Sequence, residues 1–192
     1  MSNTKTVSFS GLDGAGKSTQ INEIKRRFEE KGLKVKVKQH FESVIGEKCK
    51  DIIKTTSDPY IRALAFALDE YSQKGEEDTN YDLILCDRNF YCAIAYSGAQ
   101  GLSEGWLRVL YKFAYKYDLC IYLDITENTS YLRKGLDEIS PKFNNTQLSH
   151  TRNIYLDLVE RGEMLKINAE QEIDKITHEI EILIEEMLNE CK

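Results

Sequence analysis

Proline and tryptophan are scarce in this sequence, whose 192 residues include two prolines and one tryptophan. So little proline, together with 41% apolar and 30% charged residues, excludes collagen-like and intrinsically disordered classes of protein. No apolar run approaches the roughly 18 residues that a membrane span requires. Only a few polar residues separate Met1 from the first apolar run, which leaves no room for a signal peptide. We therefore expect a soluble, cytoplasmic protein with no membrane partner.

Cysteine usage and net charge exclude further classes. Five cysteines, an odd number without close pairing, argue against a disulfide framework, and their spacing does not match a zinc site. The compartment is therefore expected to be reducing. The net charge of −6 disfavours nonspecific binding to nucleic acid, so no nucleic-acid partner is expected. Any anionic ligand must be bound by a few well-placed groups.

Apolar runs of strand length alternate with segments of helical spacing. The predicted strands are Thr4–Ser10, Leu33–Lys38, Leu83–Cys86, Leu119–Leu123 and Met164–Ile167. The predicted helices are about Lys17–Lys31, Ile45–Lys54, Pro59–Tyr71, Trp106–Tyr117, Leu148–Glu160 and Ile173–Met187. This alternation predicts an α/β fold in which a five-stranded parallel sheet carries helices on both faces. The length suits a single domain over residues 1–192.

Several polar residues follow the predicted strands. In parallel sheets, ligands bind beyond the carboxyl ends of the strands. Gly11, Glu42, Asp87 and Asp124 all stand at such ends, so we expect one binding edge. The polar segment Leu136–Gln147 is predicted to be mobile.

The segment Gly11–Thr19 matches the phosphate-binding pattern G-x-x-x-x-G-K-[ST], between a predicted strand and a predicted helix. Its glycines let backbone N–H groups surround phosphate oxygens. Lys17 adds a full charge, and Ser18 places a hydroxyl on Mg²⁺. No Asn-Lys-x-Asp segment for reading guanine is present, so ATP with Mg²⁺ is expected. The predicted phosphate-binding residues are Gly11, Asp13, Gly14, Ala15, Gly16, Lys17, Ser18 and Thr19.

The pair Asp87–Arg88 follows the most apolar predicted strand. A carboxylate there can bind Mg²⁺ together with Ser18, which makes Ser18 and Asp87 the predicted metal ligands. A guanidinium beside it can stabilise the charge that develops on a transferred phosphoryl group. We therefore predict catalytic roles for Lys17, Asp87 and Arg88.

Four segments resemble the thymidylate kinase family. They are GLDGAGKSTQ at Gly11–Gln20, FALD at Phe66–Asp69, DRNFYCAIAYSG at Asp87–Gly98, and YLDIT at Tyr122–Thr126. The resemblance covers nearly the whole chain. It implies the nucleoside-monophosphate kinase type of P-loop NTPase fold. It also implies ATP-dependent transfer to a (deoxy)nucleoside monophosphate such as dTMP.

The resemblance further implies roles for individual residues. Asp13 would contact the sugar 3′-hydroxyl of the acceptor, Phe66 would stack on its base, and Tyr96 would sit beneath its sugar. Arg88 would bridge the phosphates during transfer. A lid at about residues 133–147 would supply Arg133 as a further catalytic residue.

The lid of this sequence has few cationic residues, and its dimer surface is not clearly marked. Besides Arg133, the lid offers only Lys134 and Lys142, so Arg152 on the next helix is another candidate for binding the phosphates. Family members dimerise, and Trp106 and Leu110 could contribute to a homodimer surface or simply to the core.

The acceptor side departs from the family pattern. Glu70 replaces an arginine that donates to the thymine carbonyl, which would favour an amino group instead. On this view, a Glu70→Arg change is expected to favour dTMP. The arginine-bearing segment after the second strand is replaced by His40–Ser43, and Asn89 displaces the aromatic residue after Asp-Arg. The acceptor is therefore expected to be a nucleotide whose identity is open.

Two alternatives remain. Glu42 could act as the general base of a deoxynucleoside kinase-like enzyme, because a hydroxyl acceptor requires one and a phosphate does not. The arginine-poor lid instead suits an inactive nucleotide-binding paralogue. Glu42 and Glu70 are counted among the acceptor-binding residues. His40, His150 and His178 lack metal-ligand spacing and are interpreted as solvated or internally bonded histidines.

Overall fold

A computed structural model describes residues 4–73, 79–133 and 144–189. The strands within these ranges are β1 (Lys5–Gly11), β2 (Val35–Gln39), β3 (Leu83–Asp87), β4 (Leu119–Asp124) and β5 (Leu165–Asn168). The helices are α1 (Lys17–Glu30), α2 (Val44–Thr55), α3 (Pro59–Ser72), α4 (Phe90–Gly98), α5 (Glu104–Leu110), α6 (Glu127–Arg133), α7 (Asn145–Glu160) and α8 (Ile173–Asn189). No helix in these ranges is both long enough and apolar enough to cross a bilayer.

The five strands form one parallel sheet in the order β2-β3-β1-β4-β5. This confirms the predicted sheet. Strand β1 lies in the centre, where Phe9 pairs with Asp87 of β3 and Gly11 pairs with Leu123 of β4. The loop after β1 therefore begins beside the carboxyl ends of both neighbouring strands, which places the predicted phosphate loop next to Asp87.

The sheet is covered on both faces, as predicted. Ile121 and Leu123 of β4 join the cluster formed with α1 and α8, whereas Tyr122 joins the cluster formed with α4, α5 and α7. Side chains of successive strand residues point to opposite faces, so this division shows that β4 is buried on both sides. Burial on both sides also explains why the sequence of β4 is a continuous apolar run.

Helix α5 is shorter than the helix predicted over Trp106–Tyr117. It ends at Leu110, and that part of the prediction is wrong. The Tyr71 hydroxyl donates to the Leu110 carbonyl (2.9 Å) and accepts from the Phe113 N–H (3.2 Å). These bonds satisfy the backbone at the helix end, so the chain leaves the helix there. Phe113 is 64% exposed, and its helical spacing was fortuitous.

Helices α4 and α6 were not predicted. Seven of the nine α4 residues are apolar, so no apolar stripe marks the helix. Asn89 starts it by accepting the Tyr91 N–H at 2.9 Å. Helix α7 begins at Asn145, inside the segment predicted to be mobile, and most of that segment lies outside the described residues.

Helix α3 is predicted correctly in extent, but its apolar side chains point outward. Ile61, Leu64 and Leu68 are each about half exposed. Its buried side carries small residues and two carboxylates, Asp69 and Glu70. Carboxylates are rarely buried unless they are paired, so this side of α3 faces partners other than a plain apolar core.

Candidate active site

A cavity of about 590 Å³ opens at the carboxyl edge of the sheet. One end, the phosphate-loop end, is lined by Gly14, Gly16, Lys17, Ser18 and Thr19. The other end, the α3 end, is lined by His40, Phe66, Glu70 and Tyr111. Asp13, Asp87, Arg88, Tyr96 and Arg133 also line it. The structure thus brings most of the predicted site residues to one cavity.

Gly16 sets the start of helix α1. Its φ of 86° lies in the left-handed region, which glycine adopts without steric cost, and a Cβ there would meet no protein atom within 4 Å. No side chain caps α1, so N–H groups of its first turn remain available at the edge of the cavity. This arrangement suits an anion, because unpaired N–H groups and the helix dipole point the same way.

Lys17 lies buried beneath the loop. Its ammonium donates to the carbonyls of Gly11 (3.1 Å) and Leu12 (3.0 Å). Burial, followed by the charge of Arg88, lowers the pKa of Lys17 from 10.5 to about 8, against the opposing charges of Asp13 and Asp87. An anion beside this ammonium would stabilise its charged form, so the geometry and the charge both favour phosphate binding.

The Ser18 hydroxyl donates to Asp87 Oδ2 at 2.9 Å. The other carboxylate oxygen, Oδ1, is buried and has no hydrogen-bond partner among the described residues. In the same residues no group of three or more His, Cys, Asp or Glu side chains could hold a metal by itself. This donor set fits Mg²⁺, which is usually bound through one or two protein oxygens together with waters and substrate phosphates.

Asp13, Arg88 and Tyr96 form a bonded group beside the loop. Arg88 donates to Asp13 Oδ1 at 2.6 Å, and the Asp13 N–H donates to the Tyr96 hydroxyl at 3.1 Å. Burial disfavours the charged guanidinium, but Asp13, Tyr96, Cys92 and Asp87 together outweigh it and raise the pKa of Arg88. Arg88 also has a φ of 82°, an unfavourable conformation for a residue with a side chain. Strain of this kind concentrates at functional sites.

Helix α6 docks on the phosphate loop. The buried Ser130 hydroxyl donates to the Asp13 carbonyl at 2.7 Å, a contact that sequence reasoning missed. Arg133, at the end of α6, lines the cavity, and its guanidinium lies 3.5 Å from the Gly14 carbonyl oxygen. The rest of the predicted lid through residue 143, including Lys134 and Lys142, lies outside the described residues.

Arg152, the other candidate from sequence, has a different partner. Its guanidinium donates to both oxygens of Asp124, at 2.8 and 3.1 Å. Arg152 is not among the residues described as lining the cavity. The structure therefore assigns it to a bidentate ion pair at the end of β4, which fixes α7 against the sheet.

Aromatic rings form one wall of the α3 end. Phe66 lies with its ring centroid 5.3 Å from that of Phe41 and 5.8 Å from that of His40. Because Leu64 and Leu68 point outward, Phe66 is not part of an apolar stripe on α3. Its position on the cavity wall suits stacking on a planar ligand.

Two buried carboxylates lie behind this wall. Asp69 Oδ2 lies 2.5 Å from His40 Nδ1, and Glu70 Oε1 accepts from the Tyr117 hydroxyl at 2.6 Å. Burial lowers the pKa of His40, but the hydrogen bond to Asp69 and the charges of Glu70 and Asp69 outweigh it, so the pKa is raised. The Glu70 carboxylate thus lies beside a histidine whose protonated form is favoured.

Other predicted residues lie elsewhere. Glu42 is exposed, its carboxylate accepts from the Gln39 N–H at 3.3 Å, and it is not among the described residues that line the cavity. Asn89 is buried, and its amide bonds to the Ser8 and Ser10 hydroxyls of β1 at 2.7 and 3.0 Å. This bonding and the cap of α4 account for an asparagine at this position.

His40 and Tyr111 are among the cavity residues that sequence reasoning missed. His40 was interpreted as a solvated or internally bonded residue, and its only signal was a position after a predicted strand. Tyr111 gave no signal at all. Its hydroxyl is buried without a hydrogen-bond partner in the described part of the chain. These residues meet α3 only through the tertiary fold.

Known proteins of one kind resemble this chain. A family model described as thymidylate kinase matches residues 9–180. A probable thymidylate kinase of Staphylothermus marinus is 32% identical over 185 residues, which covers 93% of this chain and 93% of its own. One of Methanosphaera stadtmanae is 31% identical and covers 91% of this chain and 94% of its own. One of Sulfolobus acidocaldarius is 31% identical, and the match covers 95% of this chain and 97% of its own.

Proposed function

The chain belongs to the thymidylate kinase family, and from this we propose that it transfers the γ-phosphate of ATP to the 5′-phosphate of dTMP. One observation supports this above the others. A single cavity holds a phosphate loop with Lys17 at one end and an aromatic wall with Phe66 at the other. Arg88 lines the same cavity and is close enough to both ends to influence the pKa values of Lys17 and His40.

We assign the donor side to the phosphate loop. Backbone N–H groups of the loop and of the first turn of α1, together with the Lys17 ammonium, would hold the β- and γ-phosphates of ATP. Ser18 and Asp87 would hold Mg²⁺, because Asp87 Oδ1 is buried and without a partner in the described residues. When bound, Mg²⁺ neutralises charge on the β- and γ-phosphate oxygens.

We assign the transfer step to Arg88, with Arg133 approaching from α6. The strained backbone of Arg88 and its bond to Asp13 orient the guanidinium before substrate arrives. Such a preoriented cation stabilises the charge that spreads over the transferred phosphoryl group. Asp13 would also contact the acceptor's sugar, with Tyr96 beneath it.

A phosphate acceptor agrees with the position of Glu42. A hydroxyl acceptor needs a general base within hydrogen-bond reach, whereas a phosphate is already anionic. Glu42 bonds to its own turn and is not among the described residues lining the cavity. The deoxynucleoside kinase-like alternative therefore loses its base. The inactive-paralogue alternative is disfavoured because Lys17, Ser18, Asp87 and Arg88 lie together.

An acceptor comparison tests this proposal. ADP release from ATP–Mg²⁺ is measured with dTMP, dCMP and thymidine, in the wild type and in Lys17→Ala. We expect turnover with dTMP, none with thymidine, and its loss in Lys17→Ala. Lys25→Ala, at a partly exposed lysine of α1, is the matched control and should retain turnover. Phosphorylation of thymidine in preference to dTMP would contradict the proposal.

The same proposal includes the domain organisation, compartment and partners of the enzyme. We treat residues 1–192 as one kinase domain with a lid at about 133–147, although residues 134–143 lie outside the described residues. We place it in the cytoplasm without a nucleic-acid partner. The four described cysteines are all free thiols, and the net charge is negative.

We also propose a homodimer formed through α3. Tyr60, Ile61, Leu64 and Leu68 are 45–52% exposed and carry no charge. Trp106 is partly buried against the core, and its ring lies edge-on to Tyr60 of this patch, with centroids 5.3 Å apart. In a two-fold symmetric dimer, this apolar patch on one subunit would pack against the same patch on the other, and both patches would be removed from water. In analytical ultracentrifugation, we expect a dimer that Leu64→Glu converts to monomer, whereas Ile182→Glu on α8 leaves it intact. A monomeric wild type would refute this.

A further inference from the structure

His40 occupies the α3 end of the cavity without a role in the proposed function so far. Its side chain is 13% exposed and stands on the turn after β2. Nδ1 lies 2.5 Å from Asp69 Oδ2, and Nε2 lies 3.8 Å from Glu70 Oε2. Nδ1 of the imidazole is therefore bonded to Asp69, while Nε2 is the ring nitrogen that lies near Glu70.

Asp69 holds the turn that carries His40. This carboxylate is fully buried and also accepts from the Phe41 N–H, at 3.1 and 3.2 Å to its two oxygens. Phe41 has a φ of 69°, a left-handed conformation that costs free energy for a residue with a side chain. The two bonds from Asp69 stabilise this turn, so Asp69 is a positioning residue for His40.

Helix α2 fixes the turn from the other side. A Cβ on Gly46 would lie 2.6 Å from Phe41 Cα and 2.5 Å from Asp69 Oδ1. Only a residue without a side chain permits this close approach. Because the turn is held by Asp69 on one side and by α2 on the other, the direction of the imidazole is set before a ligand binds.

Protonation of His40 decides what Nε2 can do. An ionised carboxylate only accepts hydrogen bonds, so Nδ1 must carry the proton that faces Asp69. In the neutral ring Nε2 then bears a lone pair, whereas in the imidazolium it bears an N–H. A change of charge therefore converts Nε2 from an acceptor into a donor.

The charged groups around His40 favour the imidazolium. From α3 it faces Asp69 and Glu70, and the charge of Arg88 after β3 opposes them. Lys38 of β2 lines a small pocket together with His40 and Glu70, and Arg62 of α3 lines the main cavity with His40. Tyr117, ahead of β4, donates to Glu70 Oε1 at 2.6 Å and leaves Oε2 on the side of His40. Glu42 of the same turn is bonded to the Gln39 N–H.

We propose that the His40 imidazolium is the specificity-determining donor to the acceptor's base, presenting Nε2–H beside the Glu70 Oε2 acceptor. This pair matches an edge that places a carbonyl next to an N–H, as thymine does at O4 and N3. The inference rests on the proposed function and deepens it by assigning the recognition of the base. It also explains how a carboxylate at position 70 is compatible with a carbonyl-bearing base.

A pH dependence follows from this assignment. When His40 loses its proton, Nε2 presents a lone pair to the base carbonyl, and an attraction becomes a repulsion between two acceptors. Affinity for the acceptor should fall as the pH rises past the pKa of His40. The transfer step uses Lys17 and Arg88 instead, and saturating ATP stabilises the charged form of Lys17, so KM for dTMP should change more than kcat.

The test compares three enzymes from about pH 6 to about pH 9, on both sides of a raised histidine pKa. They are the wild type, His40→Gln, and His178→Gln at an exposed histidine of α8 as the control. In the wild type and the control, KM for dTMP should rise about tenfold with pH, the effect of losing a charged hydrogen bond. The KM of His40→Gln should have the higher value at the lowest pH and show no change with pH beyond the one that the acceptor phosphate causes. The acceptor phosphate titrates near pH 6 equally in all three.

Two further measurements keep the inference testable if His40→Gln folds poorly. The ¹⁵N shifts of the wild-type His40 ring should report an imidazolium whose pKa rises when dTMP binds. The preference for dTMP over dCMP in kcat/KM should weaken as His40 deprotonates. Both readouts depend on contact with the base, and a merely structural histidine would change neither.

The outcomes separate this inference from the proposed function. If the wild type phosphorylates dTMP but His40→Gln has the same KM and pH profile, the role of His40 is refuted and the kinase assignment remains. A preference for dCMP at every pH would also refute the assignment of the base edge. If the wild type phosphorylates no monophosphate, the proposed function fails, and this inference fails with it.

Discussion

Replacing Lys17 by methionine should stabilise the protein in the absence of nucleotide while abolishing phosphoryl transfer. Lys17 is buried with a side chain 7% exposed, and its pKa is lowered to about 8. Methionine is similarly long and unbranched, so it fills the same space without a charge. The variant therefore isolates the cost of keeping an ammonium in this position.

The magnitude follows from the pKa. A value of about 8 in place of 10.5 corresponds to about 3 kcal/mol of destabilisation of the charged form. The variant also loses two hydrogen bonds to the carbonyls of Gly11 and Leu12, each contributing about 1 kcal/mol. At neutral pH we therefore expect Lys17→Met to be more stable by about 1 kcal/mol, which raises Tm by about 2–4 °C in a chain of this size.

The pH dependence gives a sharper test, because it does not involve the lost hydrogen bonds. The pKa of Lys17 is lower in the folded state than in the unfolded state, so as the pH rises the folded protein releases this proton before the unfolded chain does. The free energy of unfolding of the wild type therefore increases with pH between the two pKa values. Below about pH 8 the difference in the free energy of unfolding between variant and wild type should be constant. Between about 8 and 10.5 the wild type should gain about 3 kcal/mol relative to the variant.

Urea unfolding without nucleotide, at pH values from about 7 to about 10.5, measures this difference. Lys25→Met, at a partly exposed lysine of α1, is the control and should track the wild type throughout. A Lys17→Met protein that is less stable than the wild type by an amount independent of pH would refute the reasoning. In that case, the hydrogen bonds of Lys17 would outweigh the cost of burying its charge.

Three further substitutions have expected outcomes. Asp87→Asn should raise the Mg²⁺ concentration for half-maximal turnover about tenfold, measured by Mg²⁺ titration, because the unpaired Oδ1 loses its charge. Gly46→Ala should destabilise the protein by about 1–3 kcal/mol in urea, because its Cβ would clash with Phe41. Glu70→Arg should lower Tm without improving kcat/KM for dTMP, because the guanidinium would face His40 and Tyr117 would lose its acceptor. A gain on dTMP would restore the expectation from sequence alone.

The sheet and the phosphate loop were predictable because their signals are local. Four or five apolar residues in a row are sufficient to mark a strand buried on both faces, as Leu83–Cys86 shows. The loop motif is contained in nine consecutive residues, Gly11–Thr19, from the end of β1 to the first turn of α1. Its function depends on backbone N–H groups and one lysine, which need no distant partner to be recognised.

Helix boundaries were less predictable where distant residues set them. The end of α5 depends on the Tyr71 hydroxyl, 39 residues away from Leu110 in sequence. Helix α4 gives no periodic signal because it is apolar on nearly all sides, where it packs against the sheet and lines the cavity. In both cases the tertiary environment outweighs the local pattern.

The α3 end of the cavity could not be interpreted from the sequence alone for the same reason. Taken alone, Glu70 in place of an arginine predicts repulsion of a base carbonyl. In the structure His40, 30 positions earlier, lies 3.8 Å from this carboxylate, and Tyr117, 47 positions later, donates to its other oxygen. The electrostatic effect of position 70 thus depends on three elements together. A neighbour in space with the opposite charge can offset a change of charge there, so we expect base preference in this chain to depend on the pair His40–Glu70 rather than on Glu70 alone.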